Sequence, residues 1–172
     1  MKSLLVLGAL LTACSGPAPD PAPPRTVYIS LSEVLTPIVK QQVELFHNKL
    51  GLAQPEIIEG ACPPLGPDLI CFRYGVPEEG SIATAYGRQT GLWVVVVRET
   101  GRIRSVWEKA FLHEYAHPHL GDFAGIDGKG HSTSGDVMAK TLPEIKCVGF
   151  SQETIDALCD SRNDCHDPTT DC

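Results

Sequence analysis

The pattern of hydrophobic and polar positions changes period several times along the chain, and each change marks an element. Residues 26–31 (TVYISL) alternate β-formers with polar residues and predict a first strand. Thr36-Pro37 then has the form of an N-cap followed by the first helical position. From there Ile38, Val39, Gln42, Val43, Phe46 and Leu50 recur at helical spacing, and Gly51 stands where a left-handed residue would stop the helix. Ile57-Ile58 and residues 69–74 are short strand candidates around a Pro/Gly-rich loop.

A hairpin comes next. Residues 82–86 (IATAY) alternate, 87–91 carry turn residues, and 92–97 (LWVVVV) stay apolar without a break. The unbroken run predicts an interior strand, whereas the alternating one can sit at an edge. Residues 104–119 follow as a helix in which Val106, Trp107, Ala110, Phe111 and Leu112 supply packing surface. After a glycine-rich stretch, residues 151–159 predict a last helix with Ser151 as N-cap and Ile155 and Leu158 on its inner face. The order is β-α-β-β-β-β-α, a glycine-rich loop and a terminal helix, without internal repeats. That is an α+β arrangement.

The first residues have a different character. Lys2 is a short positive n-region, and residues 4–11 form an apolar stretch too short to span a bilayer. Leu11-Thr12-Ala13-Cys14 resembles the lipobox of bacterial lipoproteins, which implies cleavage after Ala13 and acylation of Cys14 as the new N-terminus. The competing reading is an ordinary secretory signal, with Cys14 free or disulfide-bonded. Two or more acyl chains would give stable membrane anchoring. Residues 15–24 (SGPAPDPAPP) lack apolar periodicity and read as an extended tether. The expected division is therefore a signal peptide at 1–13, a tether at 14–24 and one domain at 25–172, long enough for a sizeable core. Such a domain would face the periplasm or the exterior of the cell envelope, from the outer membrane in a Gram-negative cell.

Charge excludes more than it assigns. The formal charge of −7 becomes −8 once residues 1–13 leave, because Lys2 is their only charged side chain. This balance carries no basic footprint for nucleic acid and no polybasic patch for anionic lipid. Cysteine usage agrees with export. Of seven cysteines, setting Cys14 aside leaves Cys62, Cys71, Cys147, Cys159, Cys165 and Cys172, an even set that favours disulfides. Cys62–Cys71 would close the short loop CPPLGPDLIC and is the best single pairing, while the last four cysteines allow several connectivities. A structural zinc site is the competing reading, but C-x-x-C is absent.

The chemistry-bearing motif lies on the predicted helix. His113-Glu114-Tyr115-Ala116-His117 has two histidines four residues apart with a glutamate after the first. On a helix, positions i and i+4 share a face, so both imidazoles can reach one ion. Glu114, about a hundred degrees round the helix, can then face a water that the metal acidifies rather than the metal itself. His131 and Met138 follow in order. Over residues 111–138 the chain resembles the metzincin clan of zinc peptidases, and its matrixin-like members in particular, through His113, Glu114, His117, Leu120-Gly121, His131-Ser132 and the Asp136-Val137-Met138 turn. In element order the likeness extends over residues 26–158, the hairpin matching that clan's edge strand and its inner neighbour.

The resemblance implies a mixed twisted sheet of about four to five strands, an active-site helix, a backing helix and a C-terminal helix. It further implies Zn²⁺ held by His113, His117 and His131, Glu114 as general base, Met138 in the methionine turn, and a protein or peptide substrate for a monomeric enzyme. The spacing departs from the clan's pattern. Its glycine and third ligand would fall at Leu120 and Phe123, whereas here glycine comes at 121 and the next histidine is His131, after DFAGIDGKG. Pro118 removes the amide that would bond to the Glu114 carbonyl, so the helix should kink or end there. His119, Asp122 and Asp127 are rivals to His131 as third ligand. Two other classes stay open: a non-catalytic zinc-binding or adhesion lipoprotein, and a zinc peptidase of another clan using Glu144.

Overall fold

The continuous apolar run of 92–97 ends up where such a sequence must, inside a sheet. In the computed structural model, which describes residues 26–64, 66, 69–87, 92–120, 130–160, 165 and 168–172, five strands form one sheet. They are β1 (Thr26–Ser30), β2 (Glu56–Glu59), β3 (Leu69–Tyr74), β4 (Ala83–Gly87) and β5 (Leu92–Val97), in spatial order β2-β1-β3-β5-β4. All neighbours run parallel except β4, which lies antiparallel along β5 with Ala85 opposite Val95. The alternating strand takes the edge and the unbroken one the interior, as the patterns require. The expected signal segment with Cys14, the expected tether, Gly121, Asp122, Phe123 and Asp127 lie outside the described residues.

Strand alternation divides the apolar side chains between two layers. Val27, Ile29, Ile70, Phe72, Val95 and Val97 enter the main core with the helices, while Cys71, Val94 and Val96 form a smaller cluster. The Cys62–Cys71 disulfide, with Cα atoms 5.8 Å apart, borders that smaller cluster. Helices α1 (Thr36–Leu50) and α2 (Arg104–Ala116) pack against each other, and Phe46 of α1 meets Tyr115 of α2 edge-on at 5.1 Å. Gly51 closes α1 at φ 64°, the left-handed conformation that favours glycine.

Two helix boundaries differ from the sequence reading. Thr36 is not an N-cap but lies inside α1, because the amides of Leu35 and Thr36 go to the Ser32 carbonyl at 3.1 and 3.0 Å. A backbone turn supplies what a side-chain cap would have supplied. At the other end of the chain's second helix, α2 stops at Ala116, and His117–His119 form a single 3-10 turn. Pro118 lacks the amide needed to continue α-helically, and the tighter 3-10 turn brings His119 round toward the core.

The C-terminal part is held by side chains and disulfides. Helix α3 (Gln152–Asp160) begins at Ser151, whose Oγ accepts the Thr154 amide at 3.3 Å, as an N-cap should. Cys159, near the end of that helix, pairs with Cys165, and Cys147–Cys172 joins Cys172 to the segment before the helix. The tail adds an Lys49–Asp171 ion pair at 2.6 Å and a bond from the Asp171 amide to the Phe150 carbonyl at 3.2 Å. Among the described residues no helix is long and apolar enough to cross a membrane.

Candidate metal centre

Helix α2 carries chemistry on one face and packing on the other. Phe111, Leu112 and Tyr115 are fully buried in the main core. His113, Glu114 and His117 border a cleft of about 1150 Å³ that also meets β4 and the segment after Met138. The core face is pinned by His47 of α1, whose Nε2 lies 2.8 Å from the Tyr115 hydroxyl and whose Nδ1 lies 2.6 Å from the Ala53 carbonyl. That pair of partners assigns Nδ1–H as donor and Nε2 as acceptor. His47 is thus a core histidine, not a ligand.

Three imidazoles converge at the cleft. The ring centroids of His113, His117 and His131 are separated by 4.7, 5.2 and 5.3 Å. One nitrogen from each lies within 4.8 Å of the others, so the group could hold a metal ion. His113 Nε2 and His117 Nε2 are 3.1 Å apart. Two imidazole nitrogens on a tetrahedral zinc stand about 3.3 Å apart, given Zn–N bonds of about 2.0–2.1 Å. The donor set therefore fits such an ion. His113 Nδ1 lies 2.7 Å from the Val137 carbonyl, which keeps the proton on Nδ1 and the Nε2 lone pair in the cluster.

The loop from His131 to Met138 owes its shape to Asp136. This fully buried carboxylate accepts from Ser132 Oγ at 2.5 Å, the Met138 amide at 2.9 Å, the Ser151 amide at 2.9 Å, Ser151 Oγ at 2.8 Å and Thr154 Oγ1 at 2.6 Å. Burial alone would raise its pKa, but these donors outweigh burial and hold it below the usual carboxylate range. The Ser132 amide also reaches the Met138 carbonyl at 2.9 Å, so the residue after His131 is tied directly to the methionine. Met138 is fully buried in the main core. By closing this loop, Asp136 fixes both the chain that carries His131 and the Val137 carbonyl that orients His113.

Glu114 has the opposite surroundings. Its Oε2 accepts the Ala85 amide of β4 at 2.6 Å. Burial pushes its carboxyl up to about 7; the Ala85 bond lowers it, and the Glu78 carboxylate adds a smaller upward push. A divalent cation at the histidines would pull the value back down. A buried carboxyl poised near neutrality and held by a single amide is suited to exchanging a proton.

The structure brings together His113, His117 and His131, with Glu114 on the same helix. It does not bring His119 to them: that ring is buried against Phe46 at 4.6 Å and Tyr115 at 5.0 Å. Glu144 accepts the Thr141 amide at 3.1 Å in its own turn and is not part of the cluster. Sequence reasoning named the Asp136 turn without giving Asp136 a role. The available signal was an acidic residue two before the methionine, with serines at 132 and 151. Ala85 left no signal at all, because its contribution is a backbone amide. No protein-family model and no curated protein matches the chain.

Proposed function

We propose that the chain is a zinc-dependent endopeptidase of metzincin type, exported and anchored through an acylated Cys14, acting on protein or peptide substrates outside the cytoplasm. The observation that carries this reading is the convergence of three imidazoles beside a buried, weakly solvated carboxyl in a cleft bounded by a sheet edge. His113, His117 and His131 would hold the ion, which when bound would polarise a peptide carbonyl and acidify water.

The residues of the chain do the rest. Glu114 takes the proton from the attacking water at a carboxylate oxygen and delivers it to the departing amine, returning to its starting state. The substrate backbone lies extended along β4 as an added strand, which orients the scissile bond. Val137 keeps His113 in the tautomer that offers Nε2. Some metzincins carry a tyrosine just after the methionine that steadies the oxyanion; here Ala139-Lys140 follow Met138, and no side chain is assigned that role.

The test pairs zinc content with cleavage of a mixed peptide library for the wild type, Glu114→Gln and His131→Ala. Glu114→Gln is expected to retain zinc and lower cleavage by about 10²–10⁴-fold, the usual worth of a general base. His131→Ala should lose both zinc and cleavage. Full zinc retention in His131→Ala would remove the ligand assignment. Zinc binding by the wild type without cleavage of any peptide would leave a non-catalytic zinc-binding lipoprotein.

A further inference from the structure

The cleft has a charge character opposite to that of the molecule. The chain has 21 acidic against 14 basic side chains. Among the described residues, the cleft is lined by the cations Arg102, Lys109 and Lys140 but only two acids, Glu78 and Glu114. Glu114 is the proposed base, and its pairing with Ala85 turns it toward β4. The cations instead lie on α2, on the residues just before it and on the segment after Met138. A cationic wall in a concave site of an otherwise acidic protein focuses positive potential on what enters there.

Lys109 is the residue in that wall best placed to read a substrate side chain. It is four residues before His113, hence one turn away on the same face of α2 and about 6 Å along the axis from the candidate ligand. Its side chain is half-buried, and Nζ donates to the Ile145 carbonyl at 3.1 Å. That bond spans the cleft wall and sets the ammonium between α2 and the segment that carries Pro143 and Ile145. None of the ion pairs among the described residues involves Lys109. An ammonium has three donors, and a neutral carbonyl engages one of them without neutralising the charge.

Resting on the peptidase reading above, we propose that Lys109 is a specificity-determining residue, and that the cleft takes peptides with a glutamate or aspartate directly flanking the scissile bond. The acidic side chain enters between α2 and the 139–145 segment and forms a charge-assisted hydrogen bond with Nζ. Such a bond in a partly desolvated pocket separates a carboxylate from its isosteric amide by about tenfold or more.

Binding can be read without turnover. Blocked alanine hexapeptides carrying one glutamate or one glutamine, stepped along the peptide, are titrated calorimetrically into zinc-loaded Glu114→Gln protein of full length. The expected result is a glutamate preference of about tenfold at one position. That preference should vanish on adding Lys109→Met, survive in Lys109→Arg, and turn into a preference for lysine peptides in Lys109→Glu. A purely structural role for the Ile145 bond would weaken all peptides alike and could not reverse the preference. Equal affinity for glutamate and glutamine at every position, no binding of either peptide, or a preference that persists in Lys109→Met overturns the proposal. A Lys109-dependent preference in a protein whose Glu114-intact form cleaves nothing would overturn the hydrolytic reading and leave this one standing.

Discussion

Glu114 and Asp136 are both buried carboxylates in the same part of the molecule, and the chain treats them in opposite ways. Asp136 receives five donors spread over both oxygens, from the backbone and from three hydroxyl groups. Glu114 receives one backbone amide on Oε2. The first carboxylate is locked as an anion and held below its ordinary pKa; the second is pushed up to about 7. Burial pushes both carboxyls upward, so burial by itself does not give the opposite directions. The number of hydrogen bonds offered to the charged form does. An anion satisfied on every side is an anchor, whereas one left mostly unsatisfied holds a proton that chemistry can use.

The largest effect should come from removing the anchor. Asp136→Ala leaves several buried donors without an acceptor and opens the loop that ends in Met138. A loss of about 3–5 kcal/mol of folding stability is expected, since each buried group left unsatisfied costs about 1–3 kcal/mol and the costs overlap. Urea denaturation of the oxidised protein measures it. Metal affinity should fall by about 10–100-fold, because the Val137 carbonyl that orients His113 sits in that loop. A variant with native stability would mean that Asp136 is not the anchor its hydrogen bonds describe.

Next in size is the pH dependence of the metal-free protein, where the two carboxylates should pull in opposite directions. Glu114 has a folded pKa of about 7 against about 4.3 unfolded, so between those values the folded state binds the extra proton. Its contribution is complete below the unfolded value and is lost as pH rises through the folded one, about 4 kcal/mol in all after multiplying the shift by 1.36. Asp136 is shifted the other way. Its contribution is present above its unfolded value of about 3.9 and is lost as pH falls through its lower folded value. Thermal melts without metal should therefore show a falling limb between about pH 4 and pH 7 that flattens in Glu114→Gln. If Glu114→Gln leaves that limb unchanged, the carboxyl is not the group that titrates there.

Which of these features could be read from the chain follows from how local each one is. The strands and α1 were legible because apolar period is a local property: LWVVVV could only be buried on both faces, and Gly51 stands at its left-handed stop. His113, Glu114 and His117 were legible because helical spacing puts them together. Pro118 announced the end of α2, but the 3-10 turn that sends His119 into the core depends on Phe46 and Tyr115, which are far away or on another face. The same holds for the pairing of Cys147 with Cys172, which spacing alone left open. Asp136 was visible as a residue but not as a hub, because three of its five donors come from α3 and the residue before it. Lys109 carried no signal in the sequence, because the carbonyl its ammonium meets belongs to Ile145, 36 residues further on.

The smallest effects ask whether Asp136 acts through any one donor or through all of them. Ser132→Ala removes a single hydroxyl, leaving four donors on the carboxylate and the Ser132 amide still bonded to Met138. About 1–1.5 kcal/mol should be lost, between the ordinary worth of one hydrogen bond and the low end for one to a charged acceptor. Ser151→Ala removes a donor to Asp136 and also the oxygen that caps α3 through the Thr154 amide. The loss there should be about 2 kcal/mol, one hydrogen bond plus an N-cap. Equilibrium unfolding of the single and double variants then gives the coupling between them. If the carboxylate is anchored collectively, the double variant loses more than the sum, because the three remaining donors hold the charge less well than four and its pKa moves up. Strict additivity would make Asp136 a set of independent contacts, and its difference from Glu114 would reduce to a count of bonds.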